Sequence, residues 1–500
     1  MEEIGAAMYD QVKAYIIENE MIKPGDAVIA GVSGGGDSMA MLHILNRLRK
    51  TLDFRLTVVH VNHGIRGPEA DRDQALVEEA CKSAQLPFRV YAYDVPALAT
   101  RWKLGTEETG RKVRREAFET QRERLLLEAA GREPEKALCE QTGSEQEQPA
   151  GSVLQVHIAL AHNQDDLAET MLHHLARGTG IRGLCSMRPV SGAIIRPVLC
   201  LGRAEIGHYL KENAVPHALD ITNLSDEYTR NRIRHHIMPL MEQEINVCAA
   251  AHMAETSRVL AEAEDYLSRQ GKLLLERFQK DDGEYLLGPA FWQEEPVLRA
   301  YAIGQAFEEL AGHRQDFTSL HVRQVTELAE RQTGREIALP YGLCAQKTYQ
   351  GVRLGTREAA KARMGPQETA RQEWEIPLPG TLTCALGTFE AEIFSYEGQK
   401  IQEKKCTKWF DYDKIECNLC ARTRRTGDFL TVNSEGGRKK LNRCMIDEKI
   451  PRELRERIPL VAAGQEVLWM VGGRMNERYK ITPQTRRVLE LRYQGGSKDE

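Results

Sequence analysis

An α/β fold built on a doubly wound parallel sheet is predicted for residues 1–225, followed by a helix-rich α+β domain over 226–360 and a small α+β C-terminal domain over 374–500. Three observations predict it. Short apolar runs alternate with helix-period segments in the first part, the pattern of parallel strands covered by helices on both faces. A glycine-rich turn, Gly31-Val32-Ser33-Gly34-Gly35-Gly36-Asp37-Ser38, joins one such run to the helical segment after it. Beyond a polar linker at 361–371, the pattern changes to short strands and turns.

In chain order, residues 1–20 carry the spacing of an amphipathic helix. Asp26-Ala27-Val28-Ile29-Ala30 reads as a buried strand, and Met39-Ala40-Met41-Leu42-His43-Ile44-Leu45 as the helix after the turn. Further strands are expected at 54–61, 88–93 and 156–161, with helices at 69–84 and 107–128. The stretch 131–151 is polar, acidic and low in complexity, so it reads as a flexible surface insertion. Residues 229–238 and 247–278 read as a long helical passage leaving the first domain. Residues 289–331 read as helical, with strand-like pieces at 336–354.

Size and composition bound the class. The chain has 500 residues, 28% of them charged and 41% apolar, which suits a soluble globular protein of several domains. No apolar run approaches the roughly 18–20 residues of a membrane span. The start, Met1-Glu2-Glu3-Ile4, lacks the features of a signal peptide, so a cytoplasmic location is expected. The 11 cysteines are scattered and suggest no disulfide framework. Cys417 and Cys420 have zinc-type spacing, but Cys406 and Cys444 lack partners at that spacing, so no zinc site is expected. Net charge is −5, yet residues 401–500 hold 22 Lys+Arg against 15 Asp+Glu, an excess of seven cations. Such a local basic surface is enough to hold a phosphate backbone.

Consecutive glycines let the chain turn tightly and aim several N–H groups at one point, where the helix N-terminus adds partial positive charge. Such a nest suits phosphate. The Gly-Lys-Ser/Thr ending of a Walker loop is missing. Asp37 stands where that motif has a cation, so Mg2+ is expected to bridge the acid and the phosphates. Ligands of a doubly wound sheet bind at the carboxyl ends of its strands. There the second strand runs into His60-Val61-Asn62-His63-Gly64-Ile65-Arg66, and the fourth into His162-Asn163-Gln164-Asp165-Asp166-Leu167-Ala168-Glu169-Thr170. Taken alone, these read as loop residues and a helix cap; placed beside the glycine turn, they should face one pocket. Arg111 and Arg114, three apart, share a helix face, and Arg177-Gly178-Thr179-Gly180 forms a second glycine-rich turn.

The hexapeptide Ser33-Gly34-Gly35-Gly36-Asp37-Ser38 after a strand resembles the PP-loop of the N-type ATP pyrophosphatases. The His60–Arg66 motif, the Arg111/Arg114 helix, the Ala161–Thr170 motif and the Arg177 turn follow in order. So do Asp220-Ile221-Thr222-Asn223 and Tyr228-Thr229-Arg230-Asn231-Arg232-Ile233-Arg234. Leu378-Pro379-Gly380-Thr381, Arg424-Arg425-Thr426-Gly427-Asp428, Lys439-Lys440-Leu441 and Lys449-Ile450-Pro451-Arg452-Glu453-Leu454-Arg455 extend the likeness towards the end of the chain. Together they resemble the tRNA(Ile)-lysidine synthetase family. The chain departs from it in three places. The family usually has a second histidine where Asn163 stands, it commonly has alanines at Thr109-Gly110, and the 131–151 insertion is unusually long.

The resemblance implies ATP and Mg2+ as cofactors, and free L-lysine and a CAU-anticodon isoleucine tRNA as partners. The wobble cytidine is adenylated at its carbon-2 oxygen and lysine then displaces AMP. A homodimer is compatible with it; the sequence does not set the oligomeric state. Under this resemblance Ser33, Gly34, Gly35, Gly36, Asp37, Ser38, His60 and Asn62 hold the nucleotide, with Asp37 on the metal. Asp37, Asp166, Arg111 and Arg114 are the expected catalytic residues. His162, Asp165, Asp166, Glu169, Arg177, Arg230, Arg232, Lys439 and Lys440 are expected to contact lysine or tRNA. Another PP-loop enzyme of tRNA, such as a 2-thiolation enzyme, is the alternative. Cys81, Cys139, Cys185 and Cys200 form no pair suited to that chemistry.

Overall fold

The computed structural model describes residues 2–65, 67–132, 154–218, 229–278, 283–364, 372–399, 406–433 and 435–495. Arg66, residues 133–151 of the expected insertion, Cys139, Asp220-Ile221-Thr222-Asn223 and Tyr228 lie outside the described residues. The chain divides into two compact units, Met1–Asp265 and Tyr266–Glu500.

The first unit holds the predicted α/β fold. Its strands are β1 (Ala27–Gly31), β2 (Arg55–Asn62), β3 (Phe88–Ala92), β4 (Val156–Ala159), β5 (Val190–Ser191) and β6 (Ile194–Ile195), in the order β3-β2-β1-β4-β6-β5. All pairings are parallel except β5 with β6. The chain leaves β1 towards β2 on one side and returns to β4 on the other, so the topological switch point lies between β1 and β4.

The alternation of side chains explains why β1 sits at the centre. Val28 and Ala30 enter one core, with Met41, Leu45 and Val58, while Ala27 and Ile29 enter another, with Val59, Phe118 and Ile158. A strand buried on both faces has to be apolar throughout, and this one is. Gly31 ends β1 where a Cβ would lie 2.5 Å from the Phe118 ring, so the helix Thr106–Ala129 crosses the strand closely only because the residue is glycine.

The helix Val95–Trp102 was not expected. Its signal is local: Asp94 accepts the Ala97 N–H at 3.0 Å, and Pro96 stands in the first turn. The passage expected as helix over 229–238 is broken instead into a turn of α-helix, Thr229–Arg232, and a π-helical segment, Ile233–Ile237, before the helix Met238–Glu244. Such π segments often mark functional sites.

In the second unit, β7 (Tyr285–Leu287), β8 (Glu336–Ala338), β9 (Leu343–Lys347) and β10 (Val352–Thr356) form an antiparallel sheet ordered β7-β10-β9-β8. Phe291, Phe307, Val325 and Leu354 belong to its core. Beyond residue 372, a six-stranded and a four-stranded sheet share a core around Trp469, Phe389 and Phe410. Arg422 and Asp428, each 1% exposed, form a two-bond ion pair beside it, with both contacts at 2.9 Å.

Candidate active site

The glycine turn occupies the switch point. Val32 N–H donates to Val59 O at 3.0 Å, tying the start of the loop to β2. Gly34 has φ +97°, a conformation that L side chains rarely adopt. Ser38 Oγ accepts the Ser33 N–H at 3.2 Å and donates to Gly35 O at 2.8 Å, closing the loop onto the helix Gly36–Leu48. His60 is buried behind it, with Nδ1 2.9 Å from Val32 O. Burial lowers the His60 pKa, so the ring is neutral near pH 7 and Nδ1–H is the donor. Asn62 Oδ1 accepts the Gly64 N–H at 3.0 Å, and its Nδ2 donates to Gln74 at 3.3 Å. His60 and Asn62 thus brace the turns at the strand ends.

The end of β4 brings acids to the same side. Asn163 and Asp166 cap the helix Gln164–Arg177 reciprocally: Asp166 N–H donates to Asn163 Oδ1 at 2.9 Å, and Asn163 N–H to Asp166 Oδ2 at 3.2 Å. Three arginines then converge on Asp166 and Glu169. Arg234 reaches Asp166 Oδ1 at 2.9 Å and Glu169 Oε1 at 2.7 Å. Arg230 reaches the same two groups at 3.2 and 3.1 Å, and Arg203 at 3.5 and 3.3 Å. The Glu169 side chain is only 1% exposed. Burial opposes its charge, but Arg234, Arg203 and Arg230 hold its carboxyl below the usual range. Two carboxylates and three guanidiniums leave this cluster with one surplus positive charge.

Asp37 meets this cluster from the glycine loop. Burial raises its carboxyl above the usual range and nearby Asp166 adds to the rise, while Arg203, the Asn163 amide and Arg234 partly offset it. Asn163 is fully buried, its Oδ1 is committed to the cap, and its side-chain amide faces the Asp37 carboxyl. An amide carries two N–H groups, so one that faces a carboxyl keeps a second donor to offer a phosphate oxygen.

His162 lies between Arg196 and the helix that carries the first arginine pair. Arg196 Nε donates to its Nδ1 at 3.2 Å. Burial, then Arg196, Arg230, Arg114 and Arg111, push its pKa down to about 3. The imidazole is therefore neutral throughout the range around pH 7. Because the unfolded chain protonates this ring near its ordinary value of 6.5 and the folded chain near 3, stability should fall as pH drops through that window. His162→Gln should flatten the acid limb of a melting-temperature profile between pH 6.5 and 4. An unchanged limb would show that the ring titrates freely.

The structure brings some expected residues together and leaves others apart. Arg114 Nη2 lies 3.4 Å from His63 Nε2, whereas Arg111 is exposed and pairs with Glu107 on its own helix. Asp165 accepts the Arg203 N–H at 2.7 Å. Arg177 is exposed at the opposite end of the helix from Asp165, and exposed Arg232 bonds Thr229 Oγ1 at 3.1 Å. In the second unit, Lys440 is exposed, while Lys439 pairs with Asp447. Arg424 pairs with Glu456 and Arg425 with Glu373, so much of the basic run there is internally neutralised. Arg203 and Arg196 were not anticipated. Arg203 opens the helix Arg203–Glu212, where the dipole disfavours a cation, and that mismatch was its one sequence signal.

A nest of N–H groups at the switch point, an acid in the first turn after it, and an acid-rich cap on the neighbouring strand are the parts of a PP-loop nucleotide site. A PP-loop domain model matches residues 7–131 and 150–241, and a model of the TilS substrate C-terminal domain matches residues 419–492. The tRNA(Ile)-lysidine synthase of Caldanaerobacter subterraneus subsp. tengcongensis is 32% identical over 490 residues, covering 97% of each chain. That of Dehalococcoides mccartyi is 33% identical over 497 residues, covering 97% of this chain and 98% of the relative. A crystal structure of a TilS C-terminal domain covers 25% of this chain and 98% of that chain at 29% identity, with a TM-score of 0.23. The chain belongs to the tRNA(Ile)-lysidine synthase family of enzymes. No helix among the described residues is long and apolar enough to cross a membrane.

Proposed function

We propose that this protein joins L-lysine to carbon 2 of the wobble cytidine of a CAU-anticodon isoleucine tRNA, using ATP and releasing pyrophosphate and AMP. The observation that carries the reading is the meeting of the glycine loop and Asp37 with the Asp166–Glu169 arginine cluster at one switch point.

The loop from Ser33 to Ser38 and the first N–H groups of the helix after it would hold the phosphates that leave as pyrophosphate. Asp37, crowded by Asp166, fits a divalent cation, and Mg2+ needs only one or two carboxylates when phosphates complete its shell. When bound, Mg2+ supplies charge neutralisation on the phosphates. The arginine side chains near Asp37 would face the α-phosphate, with the Asn163 amide as a further donor.

The second half needs a deprotonated amine, and a free lysine ε-amine has a pKa of about 10.4. Asp166 is the proposed acceptor of its proton, with Asp165 beside it and Glu169 keeping the arginines in place. Arg111 and Arg114 are proposed to pair with the lysine carboxylate or a tRNA phosphate, and Arg230 and Arg232 with the tRNA. Residues 374–500 would grip the tRNA away from the anticodon, with exposed Arg443 and Lys440 offered to it and Lys439 exchanging Asp447 for phosphate. The reading carries a cytoplasmic location with it. Thiolation chemistry has less support: burial pushes Cys81 up to about 11 and Cys200 up to about 12, the reverse of a reactive thiol.

The test is direct. The protein is incubated with labelled lysine, ATP, Mg2+ and CAU-anticodon tRNA, and the digested RNA is examined for lysidine. Absence of label from the nucleoside fraction would remove the reading. Asn163→Ser keeps a capping oxygen but loses the amide donor. It should melt near the wild-type temperature while tRNA-dependent ATP–pyrophosphate exchange falls roughly 10- to 100-fold. Full exchange in that variant would deny the amide a part in nucleotide binding.

A further inference from the structure

The second unit contains a basic cleft outside the site described above. It has a volume of 360 Å³, and Arg335, Lys347, Tyr349, Arg455, Gln332 and Gln346 are among the residues that line it. A second hollow of 320 Å³ adjoins it through Thr348, Tyr349 and Pro451, adding Arg353 and Arg457. Among the described residues, no aspartate or glutamate lines either one. For a chain of net charge −5, Arg335, Lys347 and Arg455 in one recess, with no acid among its described lining residues, are a departure from composition.

Local structure fixes these groups. Lys347 N–H donates to Arg335 O at 2.8 Å, which sets the two cations side by side at the edge of the β8–β9 ladder. Arg455 is 9% exposed; its Nε donates to Ile450 O at 2.9 Å and its Nη2 to Tyr349 Oη at 3.2 Å. Both of these acceptors are neutral, and a buried guanidinium held by neutral groups gains from an anion that completes it. Tyr349, 37% exposed, leaves its ring at the wall of the recess. The volume is that of a small-ligand site rather than of a groove for a duplex. Bases that leave the stack are read by aromatic faces and by amide side chains, and their phosphates by arginine and lysine.

We propose that this cleft receives one unpaired nucleotide of the RNA substrate, with its phosphate against Arg335, Lys347 and Arg455 and its base against Tyr349. The inference rests on the RNA-modifying reading above and adds a contact remote in sequence from the glycine loop. A free mononucleotide presents the same chemistry, and the test separates the two.

Full-length protein carrying Arg335→Gln with Lys347→Gln is titrated with CAU-anticodon tRNA over a range of salt. The dissociation constant should rise roughly tenfold, and the slope of log K against log salt should shrink by about one to two. Tyr349→Ala should also weaken tRNA binding, and Tyr349→Phe should restore most of it. KM for ATP and lysine and the melting temperature should not move, which separates lost contact from lost fold. A photoreactive phenylalanine analogue at position 349 should cross-link to an unpaired nucleotide. Equal affinity and slope in variant and wild type, or a cross-link confined to base-paired stem, overturns the proposal. So does weakened binding of AMP with unchanged tRNA affinity, which would make the cleft a mononucleotide site. A wild type that makes lysidine while the variants match its tRNA affinity overturns this inference alone. A wild type that binds tRNA through the cleft but makes no lysidine overturns the enzymatic reading and leaves the cleft standing.

Discussion

Replacing Asp37 by asparagine should leave the fold intact and lower tRNA-dependent ATP–pyrophosphate exchange by roughly 10²-fold or more. The fold should survive because asparagine keeps the shape and removes a charge that the folded protein holds unfavourably: burial and Asp166 both raise the Asp37 carboxyl. The protein should therefore melt at or slightly above the wild-type temperature. Exchange should fail because the neutral amide no longer offers an anionic oxygen to a cation on the phosphates. The joint outcome, equal or higher stability with lost adenylation, marks a residue kept for chemistry against its structural cost. Turnover near wild type would end the assignment of Asp37 to the metal.

Glu169→Ala should behave in the opposite way. The carboxylate is almost wholly buried and receives Arg203, Arg230 and Arg234. Deleting it leaves three guanidiniums around Asp166 alone, and breaking a buried ionic cluster from one side typically destabilises by about 3–5 kcal/mol. Urea unfolding should show a midpoint well below wild type. Glu169→Gln, which keeps the shape and two polar contacts, should lose less. A wild-type midpoint in Glu169→Ala would mean that the arginines are held elsewhere. The same cluster adds acid sensitivity. The folded-state pKa of Glu169 lies below its ordinary value, so its stabilisation is present above that value and is lost as pH falls through the folded pKa.

The parallel sheet and the glycine loop were legible from sequence because both depend on near neighbours. Val28, Ile29 and Ala30 are apolar in succession, and a strand buried on both faces leaves that mark wherever it occurs. Gly34 needs its φ of +97° whatever else the chain does. The helix Pro68–Ala84 lies within one residue of the expected 69–84, for the same reason. Asp165, Asp166 and Glu169 were recognisable as a cluster because one turn of helix places them together.

What the sequence by itself determined, then, was the order of strands and helices, the phosphate nest and the acids of the neighbouring cap. Only the tertiary structure decided which charges were free to act. Arg203 comes from the helix after β6, more than thirty residues from Glu169, and no local pattern brings the two together. Arg422, Arg424, Arg425 and Lys439 looked like one basic surface, but Arg422 is buried on Asp428 and the others meet Glu456, Glu373 and Asp447. Arg335 and Lys347, unremarked in the sequence, line a recess with Arg455 that has no acid among its described lining residues. The physical reason is the same in each case. A residue's conformation answers to neighbours within a turn or two, whereas the worth of a charge depends on burial and on partners that folding gathers from distant parts of the chain.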